Sequence, residues 1–197
     1  FKPDSEARDS LRREWGIKDG EILIGAAGRI VPEKGLDHFI KAAAAIKKAG
    51  QRIRVVIAGG GDSEYKRRLD TICAGSGLGG GIVWAGARKD MGRFYSSLDL
   101  FCSPSRGEGF PNVVAEAMAC GVPCVATDAG DSASIIDRFG IVVPTDNADE
   151  LARGLIRALR RLPDFDPAEL RSSIVSKYST EKMTASTEAA LSELLCR

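Results

Sequence analysis

The chain has 197 residues, 44% of them hydrophobic and 28% charged, and its 28 Lys and Arg nearly cancel its 27 Asp and Glu to leave a formal charge of +1. That size and composition build a real hydrophobic core and argue against both a disordered chain and a membrane-spanning one. So small a charge offers no broad electropositive surface to nucleic acid, although a local basic pocket for a small anion survives the averaging.

The first twenty residues read as a charged helix entering a first strand at Ile22–Ala27. Five more short β-branched or apolar runs follow at Ile53–Ala58, Ile82–Trp84, Leu98–Cys102, Pro123–Ala126 and Gly140–Val143. Segments of helical period fall between and after them at Leu36–Ala49, Ser63–Ala74, Met91–Ser97, Asn112–Cys120, Ala133–Asp137 and Ala148–Leu162, each opened by a turn rich in Gly, Pro, Asp or Asn. This alternation predicts an α/β fold, a doubly wound parallel sheet of about six strands covered on both faces. The prolines of Pro163-Asp164-Phe165-Asp166-Pro167 break the pattern. Two more helices, near Ala168–Lys177 and Thr180–Cys196, form a tail that packs on the sheet or on a neighbour. The expected division is one domain over 1–197, with a core at 21–162 and a helical tail at 167–197.

The five cysteines, Cys73, Cys102, Cys120, Cys124 and Cys196, are odd in number and lack the two-residue spacing of a zinc site. They read as reduced, mostly buried thiols. No basic stretch followed by an apolar one opens the chain, which begins at Phe1, and the expectation is that something upstream has been removed.

In an open α/β sheet a ligand sits where strands end and helices begin. The loop Gly28-Arg29-Ile30-Val31-Pro32-Glu33-Lys34-Gly35 puts two cations, Arg29 and Lys34, at that mouth, with Gly28 permitting close backbone approach and Pro32 stiffening the turn. It suits a diphosphate; the alternative is a pair of solvated surface charges. It is not a Walker loop, because Gly35 follows Lys34 where that motif carries Ser or Thr. In the loop from Pro104 to Glu116, Pro111 fits a first helical turn, which leaves the Asn112 and Val113 amides facing the mouth. Gly107 and Gly109 let a ligand lie close. Glu116 falls on an apolar stripe with Val113, Ala117 and Cys120, where a carboxylate is costly unless it is paired or binds hydroxyls. A polyol ligand or a partner on a neighbouring helix would satisfy it.

With these elements in order, the chain resembles the C-terminal, donor-binding domain of a GT-B glycosyltransferase of the retaining family 4 type. The resemblance runs from about Ile22 to Leu162. It is carried by the Gly-Arg-x4-Lys-Gly loop, Gly59-Gly60-Gly61-Asp62, Leu98-Asp99-Leu100-Phe101 leading to Pro104-Ser105, the Glu108-x7-Glu116 motif with Ala117-Met118-Ala119-Cys120-Gly121-Val122-Pro123 after it, and Ala126-Thr127-Asp128. It implies a Rossmann-like sheet, the C-terminal half of a GT-B fold. It also implies transfer of a sugar, with retention, from a nucleotide diphosphate sugar to an acceptor hydroxyl. Arg29 and Lys34 would bind the donor diphosphate and stabilise the leaving nucleotide, Glu116 would bond the ribose hydroxyls, and Glu108 would contact and position the donor sugar. The backbone from Gly109 through Phe110, Pro111 and Asn112 to Val113 would line sugar and phosphate, and Ala87 and Arg88 would lie against the base. No metal or other cofactor is implied, since two fixed cations and helix amides can meet the charge of a departing diphosphate. The remaining partners implied are an N-terminal acceptor domain of the same polypeptide and a saccharide or lipid-linked acceptor. The setting is cytoplasmic or peripheral at the inner membrane face, in cell-surface polysaccharide or lipopolysaccharide biosynthesis. Alone, this chain is expected to bind donor without turnover.

Two stretches depart from the family pattern: Pro111 stands where many members have Gly, and Ala129-Gly130-Asp131-Ser132 follows Asp128 where many have Gly-Gly and then Glu. Uridine is preferred over guanosine because Ala87-Arg88-Lys89 offers no carboxylate to a guanine edge before Asp90. The rival readings are a non-catalytic nucleotide-sugar-binding module and a nucleotide-sugar epimerase of the same architecture. Other signals count for little. Gly75-Ser76-Gly77-Leu78-Gly79-Gly80 matches G-x-G-x-x-G but follows a helix, and Asp164-Phe165-Asp166 reads as a turn. His38, the one histidine, reads as a surface side chain.

Overall fold

The apolar runs form a parallel sheet whose strands are β1 (Ile22–Ala27), β2 (Ile53–Ala58), β3 (Ile82–Gly86), β4 (Leu100–Ser103), β5 (Cys124–Thr127) and β6 (Gly140–Val143). The computed structural model describes residues 1–78 and 80–195. The strand order is β3-β2-β1-β4-β5-β6. The chain steps outward from β1 to β3 and returns on the other side of β1 with β4, so the helices that follow β1 and β4 lie on opposite faces and leave a crevice at the reversal.

Successive side chains on a strand face opposite ways, and β2 divides its side chains accordingly. Val55 and Ile57 enter one core cluster and Val56 and Ala58 the other. The first cluster lies under α2 (Leu36–Lys48), α3 (Ser63–Gly75) and α7 (Ala148–Arg160), through residues such as Phe39, Leu69 and Leu155. The second lies under α1 (Ser5–Glu14), α4 (Met91–Ser96), α5 (Asn112–Ala119), α6 (Ser132–Ile136) and α8 (Pro167–Tyr178), through Leu11, Phe94, Met118, Ile135 and Leu170. α7 shows why such sequences fold this way: Leu151, Leu155 and Leu159 recur at helical spacing and are buried, while Arg153, Arg157 and Arg160 point to solvent. The Asn147 side chain accepts from the Asp149 and Glu150 amides and starts that helix.

The loops after β1 and β4 meet at backbone contact. Gly35, at φ 60 before α2, has no room for a side chain, because an added Cβ would stand 1.9 Å from the Pro104 carbonyl oxygen. Gly59, at φ 148 after β2, is packed as tightly, its Cβ position lying 1.8 Å from the Gly28 oxygen. These contacts draw the C-terminal strand ends into one continuous rim.

The predicted elements differ from the observed ones mainly at their ends. β3 continues past Trp84 to Gly86, and β4 starts at Leu100, since Leu98 closes a turn by donating its amide to the Tyr95 oxygen. The opening helix occupies only Ser5–Glu14 of the first twenty residues, capped by the Asp4 side chain. The tail divides in two. α8 buries Leu170 and Ile174, whereas α9 (Thr180–Leu195) leaves Met183, Leu191 and Leu194 exposed. The helix end expected at Cys196, and Gly79 of the glycine-rich stretch, lie outside the described residues.

Candidate functional site

At the C-terminal ends of β1, β2 and β3 a cleft of about 280 Å³ is lined by Gly28, Arg29, Gly59, Gly60, Ala87 and Arg88, and across the crevice by Tyr95, Val113 and Glu116. Arg29 is exposed, and its guanidinium has no hydrogen-bond or ion-pair partner among the described residues. Glu116 is half-buried. Its Oε2 accepts a 2.7 Å hydrogen bond from the Tyr95 hydroxyl, and no donor among the described residues occupies Oε1. Tyr95 is fully buried among Phe94 and Phe101 at edge-on ring contacts. Burial and the neighbouring Glu116 push its phenol far above the ordinary range, so it stays a donor. Sequence reasoning missed Tyr95. Its only signal was a hydroxyl on an apolar segment that needed an acceptor.

The other predicted cation sits differently. Lys34 ends the 3-10 turn Pro32–Lys34, and its Nζ lies 2.6 Å from Glu108 Oε1, which also accepts from Ser105 Oγ at 2.6 Å. The two side chains are 22% and 11% exposed. The Lys34 stem runs beside Gly28, its Cδ 3.6 Å from where a Cβ would be, so the ion pair abuts the cleft without lining it. Thr127 Oγ1 donates to the Ser105 oxygen at 2.5 Å and braces this arrangement from β5.

Several expectations for the second loop need correction. Pro111 precedes the helix, at φ −75 and ψ 83, rather than standing in its first turn. The Asn112 amide is not free either, because it donates to the Phe110 oxygen at 2.9 Å; the Val113 amide has no acceptor among the described residues. Gly109, Phe110, Pro111 and Asn112 do not line the cleft. The Gly109 oxygen accepts from the Asp131 amide, and the Phe110 ring meets Tyr178 at 5.2 Å. Gly107 and Gly109 are not crowded by protein, as a Cβ at either would meet nothing within 4 Å.

Arg106 joins more elements than any residue singled out in advance. Its amide donates to the Glu33 oxygen at 2.8 Å, and its guanidinium reaches the Pro32 oxygen, Asp37 Oδ2 at 3.0 Å and Asp146 Oδ1 at 2.7 Å. Asp37 also accepts from Tyr65 at 2.9 Å. Burial raises the Asp37 pKa, but the hydrogen bonds from Arg106 and Tyr65 outweigh it and hold the carboxyl below its ordinary value. His38 belongs to this group rather than to the free surface, with Nε2 3.4 Å from Arg106 and 3.7 Å from Asp37.

Beyond β3, Arg88 is committed to Asp90 by two hydrogen bonds of 2.9 and 2.6 Å, and that pairing lowers the Asp90 pKa. Neither side chain is free to read a base edge as it stands. Cys102, Cys120 and Cys124 are buried free thiols, whose pKa burial raises, and Cys73 is half-buried.

The family model for glycosyl transferases group 1 matches residues 7–173. A GDP-mannose-dependent alpha-mannosyltransferase of Mycobacterium tuberculosis is 34% identical over 73% of this chain and 35% of its own length. A lipopolysaccharide core biosynthesis mannosyltransferase, LpcC, of Rhizobium leguminosarum bv. viciae is 32% identical over 79% of this chain and 45% of its own. Among solved structures, the C-terminal domain of a glycosyl transferase group 1 family protein (LpcC) from Francisella tularensis superposes with a TM-score of 0.79 at 27% identity, covering 91% of this chain and 96% of that one. The chain thus spans less than half the length of the full-length relatives named here and nearly all of an isolated C-terminal domain. A match over residues 7–173, on a six-stranded sheet in the order β3-β2-β1-β4-β5-β6, makes this chain a member of the glycosyl transferases group 1 family.

Proposed function

We propose that the cleft binds a nucleoside diphosphate sugar and that, in the longer protein, the sugar passes to an acceptor hydroxyl with retention at the anomeric carbon. The observation that carries this reading is that one cleft at the strand reversal holds both a guanidinium, Arg29, and a carboxylate oxygen, Glu116 Oε1, that have no partner among the described residues. A diphosphate complements the first group and ribose hydroxyls the second. Lys34 keeps two further ammonium donors beyond its bond to Glu108, and with Arg29 and the Val113 amide it would meet the charge that develops as the bond from sugar to phosphate breaks. Glu108 then has two tasks, to orient Lys34 and to contact the sugar. In this reading the described chain is the donor domain, and a further domain supplies the acceptor site.

The names of the two relatives, one GDP-mannose-dependent and one of lipopolysaccharide core biosynthesis, favour a hexose donor and a role in cell-surface glycan assembly. The first name points to guanosine, whereas the absence of a free carboxylate beside Ala87 points to uridine. A thermal-shift panel of UDP, GDP, ADP and their sugars decides between them and tests the whole reading. One nucleoside diphosphate is expected to raise the melting temperature in a concentration-dependent way. A panel in which none does so would refute the reading.

A further inference from the structure

The Arg106 group is larger than a structural role for one loop requires. Arg106 holds the carbonyls of Pro32 and Glu33, the two residues before Lys34, one through its side chain and one through its amide. The Pro32 oxygen also accepts from the Gly35 amide at 3.0 Å, so Arg106 fastens the hydrogen bond that closes the Lys34 turn. Arg106 itself lies two residues from Glu108, the partner of Lys34. It therefore sets the register between the two loops that bring ammonium and carboxylate together.

Its own position is fixed from three other elements. Asp37 in the first turn of α2 accepts from it and from Tyr65 of α3, His38 abuts both charges, and Asp146 approaches from the loop after β6. Asp146 adopts φ 53, a left-handed conformation that Asp tolerates better than most side chains. Isolated exposed ion pairs contribute little to stability. A guanidinium sharing two carboxylates and a carbonyl is a different object, because each bond limits the freedom the others would leave.

We propose that Arg106 is a positioning residue for the diphosphate site, setting the affinity of Lys34 for phosphate without touching the ligand. The inference rests on the donor-binding reading above and names how that site is tuned. Lys34 without Arg106 would sit on a turn free to swing away from Glu108, and it would lose part of its affinity to the cost of reordering that turn. Lysine at position 106 would keep the charge but not the fork, since an ammonium cannot serve Asp37, Asp146 and Pro32 in the planar arrangement that guanidinium allows.

The test is a double-mutant cycle, read by calorimetric titration of the strongest-binding nucleoside diphosphate and of inorganic pyrophosphate into this 197-residue chain. Arg106→Ala is expected to weaken both ligands by about tenfold, and Arg106→Lys to restore less than half of that on a logarithmic scale. Lys34→Ala should cost about tenfold or more in the wild-type background but under about threefold after Arg106→Ala, the non-additivity of two residues acting as a unit. Asp146→Asn, at a side chain 61% exposed, removes the charge with a residue that also tolerates φ 53 and should weaken binding by about threefold, so the idea stays testable if Arg106→Ala misfolds. Additive effects in the cycle, or a lowered melting temperature with affinity unchanged, would overturn the positioning role. A wild-type chain that binds no nucleoside diphosphate overturns the donor reading itself, which is a separate outcome.

Discussion

The two ends of the loop between β1 and α2 carry one cation each and treat it in opposite ways. At the Gly28 end, Arg29 is exposed and faces the cleft with no partner among the described residues. At the Gly35 end, Lys34 is drawn onto Glu108, on a turn fastened by Arg106. The first end waits for a ligand. The second is already satisfied, and a ligand must join or share its interactions. Residues alike in charge and five positions apart therefore differ in what their removal disturbs: Arg29 serves only what enters the cleft, while Lys34 also neutralises a carboxylate that is 11% exposed.

Replacing Lys34 gives the largest expected effect. Lys34→Ala should weaken diphosphate binding by about 1.5–3 kcal/mol, the range for hydrogen bonds to charged groups, and also destabilise the free protein by about 1–3 kcal/mol through the unpaired Glu108. Calorimetry and urea denaturation measure the two separately. Arg29→Ala should match the loss of affinity while changing stability by less than about 0.5 kcal/mol. Equal stability losses for the two variants would erase the contrast between the loop ends.

The opposite wall sharpens the comparison. Glu116→Ala should cost a ribonucleoside diphosphate more than inorganic pyrophosphate, by about 1–2 kcal/mol, because only the former offers hydroxyls. Tyr95→Phe, which removes the 2.7 Å bond to Glu116 and keeps the ring, should show the same selectivity at about 1 kcal/mol. Equal losses on both ligands would remove the carboxylate from the ribose role. The smallest effect concerns acid. Asp37 has a lowered pKa in the folded protein, so its contribution is complete above the unfolded value near 3.9 and is lost as pH falls through the folded one. The stability difference between wild type and Asp37→Asn should shrink as pH falls below about 4.

The fold was legible because each strand is a short apolar run closed by turn-forming residues, and β1, β2 and β6 occupy the predicted spans. Where the reading slipped, a local pattern met a tertiary one. Leu98 looks like the start of a strand but closes the turn out of α4, and Pro111 looks like a first-turn proline but precedes the helix. Of the candidate residues, the placement of Gly28, Arg29 and Glu116 at the cleft was legible, because each lies in the loop or helix that directly follows a strand at the reversal. Arg106 was not, since its carbonyl and carboxylate partners lie 74, 69 and 40 residues away. Asp37 in the first turn of α2 and Asp146 in the loop after β6, two acids with no assigned task, were the only hint. Tyr95 and Glu116 are 21 residues apart on different helices, and no periodicity within either segment pairs them.

The central claim is that Arg29 and its cleft receive a diphosphate. Parallel calorimetric titrations of the nucleoside diphosphate selected by the thermal panel into wild-type and Arg29→Ala protein test it most directly. The variant is expected to keep its melting temperature and to bind about 10- to 150-fold more weakly. Equal affinity of the two proteins would contradict it.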